Sequence, residues 1–270
     1  MKPQLHVSML DMMSRCGVQF QRRYGARFGI WPQEEIIPPG IALGIGIAVD
    51  ASVNANLSMK MQSGNLLSEE EVNDTARDAF ENVWSQGMLL TEDEGRDINK
   101  TEGDAVDTSI ALASLHHKVL APEIVPLAIQ ERFVIELSGY PYDLSGTKDI
   151  READCIRDTK TSNKTPEPEA AKSMQMAMYS LAEKVERGAL PKSVKLDFLV
   201  KNKTPKVEVR EATPDESWIS PLVRRIERTT EIIEAVKSGK QVLAPALPSD
   251  WICTKRFCGY AATCPFWSGR

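Results

Sequence analysis

Met9, Met12, Cys16, Phe20 and Tyr24 recur at three- and four-residue spacing, so residues 8–28 read as a helix with Ser8 as its N-cap. Gly40 to Met61 reads as a second, glycine-rich helix. Ser68 followed by Glu71 makes a capping box, and the helix it opens is predicted to run to Gln86; a further helix covers Asp104 to Leu120. After Pro122 the pattern changes. Ile129 to Leu137, Tyr142 to Ile150 and Cys155 to Thr161 are short, rich in strand formers and separated by turn residues, the pattern of an antiparallel meander. Glu169 to Arg187 returns to helical spacing, with Ala170, Met174, Ala177, Met178, Leu181 and Val185 as its apolar stripe. Two strands follow, Ser193 to Lys201 and Lys206 to Glu211. Asp215 to Ser238 is then a polar helix, and Pro245 to Arg270 is rich in aromatic residues and cysteine without a clear period.

Helices first, then three strands, a helix and two strands, give a mixed α/β order. No internal repeat, low-complexity segment or hard boundary is visible. The expectation is one domain over residues 1–270 with three successive segments: helical over residues 1–121, an α/β core over 122–212, and a C-terminal helix and cysteine-rich tail over 213–270.

Composition narrows this picture only a little. The 270 residues are 42% hydrophobic, enough for a substantial core, and the longest apolar passage, Gly40 to Val49, is short and broken by glycines. The N-terminus lacks the apolar run of a secretory signal, so a soluble, cytoplasmic protein with no membrane partner is expected. The net charge of -5 gives no support to nucleic-acid binding. Its distribution is uneven: thirteen Asp/Glu stand against three Lys/Arg between Glu69 and Asp107, whereas Arg15, Arg22, Arg23 and Arg27 share one short segment. Lys160, Lys164 and Lys172 form a second basic stretch. Each run taken alone reads equally well as a solvated face.

The chemistry concentrates in Gly146-Thr147-Lys148-Asp149 and, nine residues after Asp149, Asp158-Thr159-Lys160. Strand alternation points Asp158 and Lys160 the same way, and a turn near Arg151 to Asp154 returns Asp149 alongside them. Two carboxylates and an ammonium then meet at one edge of a sheet. Mg²⁺ and Mn²⁺ prefer such hard oxygen ligands, and a lysine beside the ion can orient or deprotonate a water. An exposed strand with ordinary ion pairs is the competing reading of Asp-x-Lys on its own. Gly44-x-Gly46 lacks the strand–turn–helix context and third glycine of a dinucleotide site. Neither a Ser/His/Asp arrangement nor an HExxH motif is present, and the His116-His117 pair reads as helix surface.

Gly-x-x-Asp on one strand, Asp-x-Lys on the next and Gln175-x-x-x-Tyr179 on the following helix together resemble the PD-(D/E)XK nuclease superfamily, nearest its RecB-like branch of CRISPR-associated and phage exonucleases. The resemblance spans about Arg15 to Cys264. It implies a restriction-endonuclease-like core: a central mixed sheet flanked by helices, with N-terminal helices and a cysteine-rich tail. It further implies Asp149 and Asp158 as metal ligands with the Thr159 carbonyl, Lys160 serving the attacking water, Gln175 and Tyr179 facing substrate, and Glu131 as the glutamate such enzymes often carry on the preceding strand. The implied activity is a Mg²⁺- or Mn²⁺-dependent DNA exonuclease on single- or double-stranded DNA, working in recombination, repair or phage DNA processing with a recombinase or helicase as possible partner. One departure stands out: Asp50, in Gly46-Ile47-Ala48-Val49-Asp50, occupies the position where related enzymes carry a histidine metal ligand. Asp50 can itself ligate Mg²⁺ or Mn²⁺, or it can mark a decayed site on a nucleic-acid-binding or assembly protein of the same fold.

Cys253-x4-Cys258-x5-Cys264 closes the chain and Cys16 lies in the first helix. Spacing alone leaves zinc, an iron–sulfur cluster and no ligand open. The resemblance implies a [4Fe–4S] cluster on Cys16, Cys253, Cys258 and Cys264, with zinc as the alternative, although the gap after Cys253 is longer than the family's usual two residues. Cys155 reads as core packing.

Overall fold

The computed structural model describes residues 2–164, 170–247, 249–255 and 257–267. In chain order the elements are β1 (Gln4–Leu5), α1 (Val7–Arg15), α2 (Gly17–Tyr24), α3 (Ile41–Ser63), α4 (Glu69–Ser85), α5 (Ile98–Val119), β2 (Ala128–Ile135), β3 (Asp143–Arg151), β4 (Cys155–Ser162), α6 (Met174–Arg187), β5 (Ser193–Val200), β6 (Lys206–Ala212) and α7 (Ile219–Lys237). The expected mixed α/β architecture, a mixed sheet flanked by helices, is what forms. The chain divides into two units, one of residues 1–37, 133–146 and 216–270, the other of 38–132 and 147–215.

The second unit carries strands in the order β3-β4-β5-β6. β3 and β4 are antiparallel, with Ile150 opposite Arg157. β4 and β5 are parallel over their full length, with Asp158 opposite Leu196, and β5 and β6 are antiparallel. The parallel step is the one that requires a crossover, and α6 supplies it. Helices α3, α4 and α5 give this unit its apolar core. Ile45, Ala48, Val49, Val53 and Leu57 of α3 join Phe80, Leu112, Ile150 and Leu199 in one buried cluster. Gly44 permits that approach, because a Cβ there would stand 2.9 Å from Met88 Cε and 3.3 Å from Phe80.

Several boundaries differ from expectation for identifiable reasons. The first helix breaks at Cys16, which is extended (φ -160, ψ 106), ends α1 through its N–H to the Met12 carbonyl and begins α2. α5 starts six residues early because the Asp97 side chain caps it by accepting from the Lys100 amide at 3.0 Å. α6 opens at Met174 with Ser173 as N-cap; Glu169 lies outside the described residues. α3 is long and apolar enough to cross a membrane by length and composition, which the glycine-broken pattern of Gly40 to Val49 does not suggest. It nonetheless carries Asp50, Asn54, Asn56 and Lys60, and its buried face belongs to the core just described.

In the first unit, β1 runs parallel to the start of β3, pairing Leu5 with Leu144. Phe28 meets Tyr142 edge-on, and the Tyr142 hydroxyl donates to Glu234 of α7. The expected basic face of the first helix is largely neutralised: Arg15 pairs with Asp11, Arg22 with Glu35 and Arg27 with Glu34.

The His116-His117 pair is only half on the surface. His117 is partly exposed, but His116 is fully buried and neither ring nitrogen has a hydrogen-bond partner among the described residues. Burial, with the Arg157 and His117 charges adding to it, pushes its pKa down to about 3. The unfolded chain therefore takes up a proton near pH 6.5 that the folded one refuses until about pH 3, so stability falls as pH drops through that window by up to about 1.4 kcal/mol per unit. His116→Leu is expected to flatten this slope and to raise the melting temperature more at pH 5 than at pH 8. An unchanged slope in thermal melts at the two pH values would show that His116 is not the acid-sensitive group.

Candidate active site

β4 lies between β3 and β5, so its backbone is held on both sides and its side chains are fixed in direction. Asp158, at its middle, is fully buried. Its Oδ1 accepts from Gln175 Nε2 at 2.8 Å, and its Oδ2 lies 2.7 Å from Lys160 Nζ, two residues along on the same face. That ion pair is close but not aligned as a hydrogen bond, and Oδ2 has no other partner among the described residues. Lys160 keeps 40% of its side chain exposed, so its ammonium spans the buried carboxylate and the solvent.

Asp149 of β3 faces Asp158, close enough for the two carboxylates to act strongly on each other. Burial, then the Asp158 charge, pushes the Asp149 pKa far above the usual carboxylate range; Lys160 opposes the shift and Asp50 adds to it. Asp50, halfway along α3, is the third carboxylate of this group. Burial raises its pKa, the Asn54 amide (2.9 Å to Oδ2) partly offsets that, and Asp158 raises it again. Gln130 Nε2 approaches the same Asp50 oxygen at 3.5 Å. Gln130 has φ +51, the one described non-glycine residue in the left-handed region, at the start of β2.

α6 closes the group from its helical side. Gln175 donates to both Asp158 and the Tyr179 hydroxyl, the latter at 2.6 Å. Tyr179 is buried, and burial together with the Asp158 and Asp149 charges holds its phenol protonated well beyond the ordinary range. The apolar stripe expected on α6 is therefore out of phase: Val185 is exposed, while Tyr179, Ser180 and Glu183 are buried. Polar partners on the sheet decided which face turned inward.

Glu131 does not join this cluster. It takes two hydrogen bonds from Arg151 (2.8 and 3.2 Å) and further pairs with Arg187 (2.9 Å) and Lys148 (3.1 Å). Burial works against its charge, yet Arg151 and Lys148 hold its pKa below the ordinary value. Lys148 is itself fully buried and also bonds Glu183 at 2.6 Å and Glu186 at 2.7 Å, both on α6. Sequence reasoning missed Lys148, Glu183 and Gln130. The four-residue spacing Gln175, Tyr179, Glu183 was the available signal for one of them.

The geometry thus brings Asp50, Asp149, Asp158, Lys160, Gln175 and Tyr179 together. A family model for the PD-(D/E)XK nuclease superfamily matches residues 4–265. The chain belongs to the PD-(D/E)XK nuclease superfamily. A crystal structure of a candidate exonuclease from Eubacterium rectale shares its fold, with TM-score 0.55 and 14% identity over 90% of this chain and 84% of that one. No curated protein matches the chain. PD-(D/E)XK nucleases are phosphodiester hydrolases that generally use Mg²⁺ or Mn²⁺.

Among the described residues no three His, Cys, Asp or Glu side chains are arranged to hold a metal ion. Cys16, Cys253, Cys258 and Cys264 are all free thiols. Cys16, Cys253 and Cys264 meet in one cluster with Val18, Ala246 and Ile252. Burial, then the neighbouring Cys258, Cys264 and Cys16, raises the Cys253 thiol pKa, so all four lie within electrostatic reach. Ala246 N–H points at Cys16 Sγ (3.3 Å) and Gln19 Nε2 at Cys258 Sγ (3.1 Å). Cys155 is half-buried at the start of β4 rather than in the core.

Crowding three carboxylates about one ammonium costs stability. The unfolded Asp149 ionises near pH 4 while the folded group keeps its proton to much higher pH, so the penalty grows as pH rises above about 4. Asp149→Asn is expected to stabilise the fold by about 1 kcal/mol or more at pH 8, and by less at pH 5. Urea denaturation at both pH values measures it; equal or lower stability at pH 8 would contradict the crowding argument.

Proposed function

We propose that the chain is a metal-dependent deoxyribonuclease, an exonuclease acting in DNA recombination, repair or phage DNA processing. The observation that carries this reading is the trio of fully buried Asp158 with half-buried Asp50 and Asp149, with Lys160 as the only close cation among the described residues. A hard oxygen donor set with surplus negative charge suits a divalent cation better than it suits itself. Asp149, Asp158 and Asp50, with the Thr159 carbonyl, would hold Mg²⁺ or Mn²⁺. Such an ion supplies charge for the scissile phosphate and a water acidic enough to attack it near neutral pH. Lys160, reaching solvent from the same strand face, orients that water and stabilises the charge building on phosphorus. Gln175 fixes the Asp158 carboxylate, and the protonated Tyr179 holds Gln175 in place. Glu131 acts at one remove, keeping Lys148, the neighbour of Asp149, charged and anchored.

Asp50, standing where the family usually has histidine, favours a second reading: a binding or assembly protein whose site no longer turns over. One assay separates the two. End-labelled single- and double-stranded DNA is incubated with the protein and Mn²⁺ or Mg²⁺, beside Asp158→Ala and Lys160→Ala. The nuclease reading expects metal-dependent loss of label that falls at least about a hundredfold in either variant. Binding without cleavage by the parent protein under either metal would leave only the second reading.

The same proposal includes a [4Fe–4S] cluster on Cys16, Cys253, Cys258 and Cys264. Four thiols within electrostatic reach, two of them approached by N–H donors, are the support for this reading, and zinc is the alternative. Anaerobically purified protein is expected to contain about four iron atoms per chain and absorb broadly in the visible, with both lost in Cys253→Ser. Stoichiometric zinc without iron would replace the cluster by a structural zinc site.

A further inference from the structure

One strongly charged surface plays no role in the site above. Along the first half of α7, Ser217, Ser220, Pro221, Arg224, Arg225 and Arg228 line an open cleft of about 630 Å³. Ser220, Arg224 and Arg228 recur every four residues, so they occupy one face of the helix. All three arginines are solvent-exposed. Arg224 has no hydrogen-bond or ion-pair partner among the described residues. Among the described residues Arg228 has only Glu231, at 3.4 Å between two largely exposed side chains, and Arg225 is turned toward the Ser14 hydroxyl. Glu227, the one acid among Arg224 to Arg228, is engaged by the Tyr140 hydroxyl at 3.0 Å.

Three guanidiniums within five residues stand out in a chain of net charge -5 whose other arginine-rich segment has Arg15, Arg22 and Arg27 paired with Asp11, Glu35 and Glu34. Exposed like charges held together repel and gain nothing from the protein itself. A cleft lined by forked cationic donors and small hydroxyls matches a run of phosphodiester oxygens, which accept bidentate bonds from guanidinium and single bonds from serine. We propose that this α7 cleft binds the sugar–phosphate backbone of DNA, independently of base sequence, as a contact separate from the metal-dependent chemistry. The inference rests on DNA being the substrate, but not on catalysis. An acidic protein segment is the competing ligand. It fits less well, because a row of phosphates repeats its charge at every nucleotide and can engage Arg224 and Arg228, one helical turn apart, together.

The test is fluorescence anisotropy of a labelled duplex in EDTA, where no cleavage can occur, over about 50 to 200 mM salt. Arg224→Gln/Arg228→Gln is compared with the parent chain and with Arg224→Lys/Arg228→Lys. The glutamine variant is expected to bind about tenfold more weakly, with a log–log salt slope shallower by about two, equally for unrelated sequences. The lysine variant is expected to keep the slope. Circular dichroism and a melting curve matching the parent show that the fold is intact. Metal-dependent hydrolysis of a small phosphodiester, which has no run of backbone phosphates, is expected to be the same in all three proteins. Unchanged affinity and slope in the glutamine variant would overturn the proposal, and loss of polyglutamate binding instead would reassign the cleft to an acidic protein. If the small phosphodiester is not cut by any of the proteins while the salt slopes still differ, the nuclease reading fails and the cleft stands.

Discussion

Like-charge crowding inside a buried space is the constraint on which the catalytic unit is built. Asp149 and Asp158 act strongly on each other, with Asp50 beside them and only Lys160, among the described residues, to balance the three. Isolated charges of this kind are driven out of protein interiors, or neutralised, by their desolvation cost. The fold keeps them by fixing what carries them. Asp158 and Lys160 sit on a strand paired on both sides, and Asp50 is set in the middle of a helix whose neighbouring residues belong to the core. Gln175 holds Asp158 from above, itself braced by a tyrosine that cannot ionise.

The ion network around Lys148 is the counterpart of that cluster. There the charges are matched: Lys148, Arg151 and Arg187 face Glu131, Glu183 and Glu186 with short contacts. Burial alone would lower the Lys148 pKa, yet its three carboxylates raise it. A matched network ties β3 to α6, the two elements that bring Asp149 and Tyr179 to the site. Such a network adds little net stability compared with apolar packing, but breaking it leaves buried charges unpaired, so it specifies one placement of α6 over others. This accounts for the phase of α6. A hydrophobic stripe containing Val185 would have buried a different face.

Much of this is legible in the chain. The capping box at Ser68 and Glu71, the five strands from Ala128 onward and the alternation of Asp158 with Lys160 follow from local rules, and they form as expected. Features set by partners distant in sequence lie beyond those rules. A periodic helix breaks at Cys16, where the sulfur receives the Ala246 N–H and the next amide, Gly17, bonds the Ala244 carbonyl. His116 reads as surface because it sits beside His117 on a polar helix, whereas in the fold it is fully buried and within reach of the Arg157 charge. Glu131 matches a family pattern by position, but the direction of its side chain is decided by Arg151 and Lys148. Gln130, with its left-handed backbone, carries no sequence mark at all.

The distribution of charge connects the carboxylate cluster with the arginines of α7. A chain of net charge -5 that handles a polyanion cannot rely on its overall field to attract it. Attraction must come from local sites where positive charge is left uncompensated, and many cations here are neutralised internally: by Glu35, by Glu131, by Asp197, by Glu183. The exceptions are informative for that reason. Arg224 is uncompensated among the described residues, Arg228 is weakly paired, and Lys160 is shared between a buried carboxylate and solvent. At the carboxylate cluster the imbalance runs the other way, so a phosphate can approach it only in company with a cation. On the proposed reading, holding the backbone, which arginines do without a metal, is separated from cutting it, for which the carboxylates would need one.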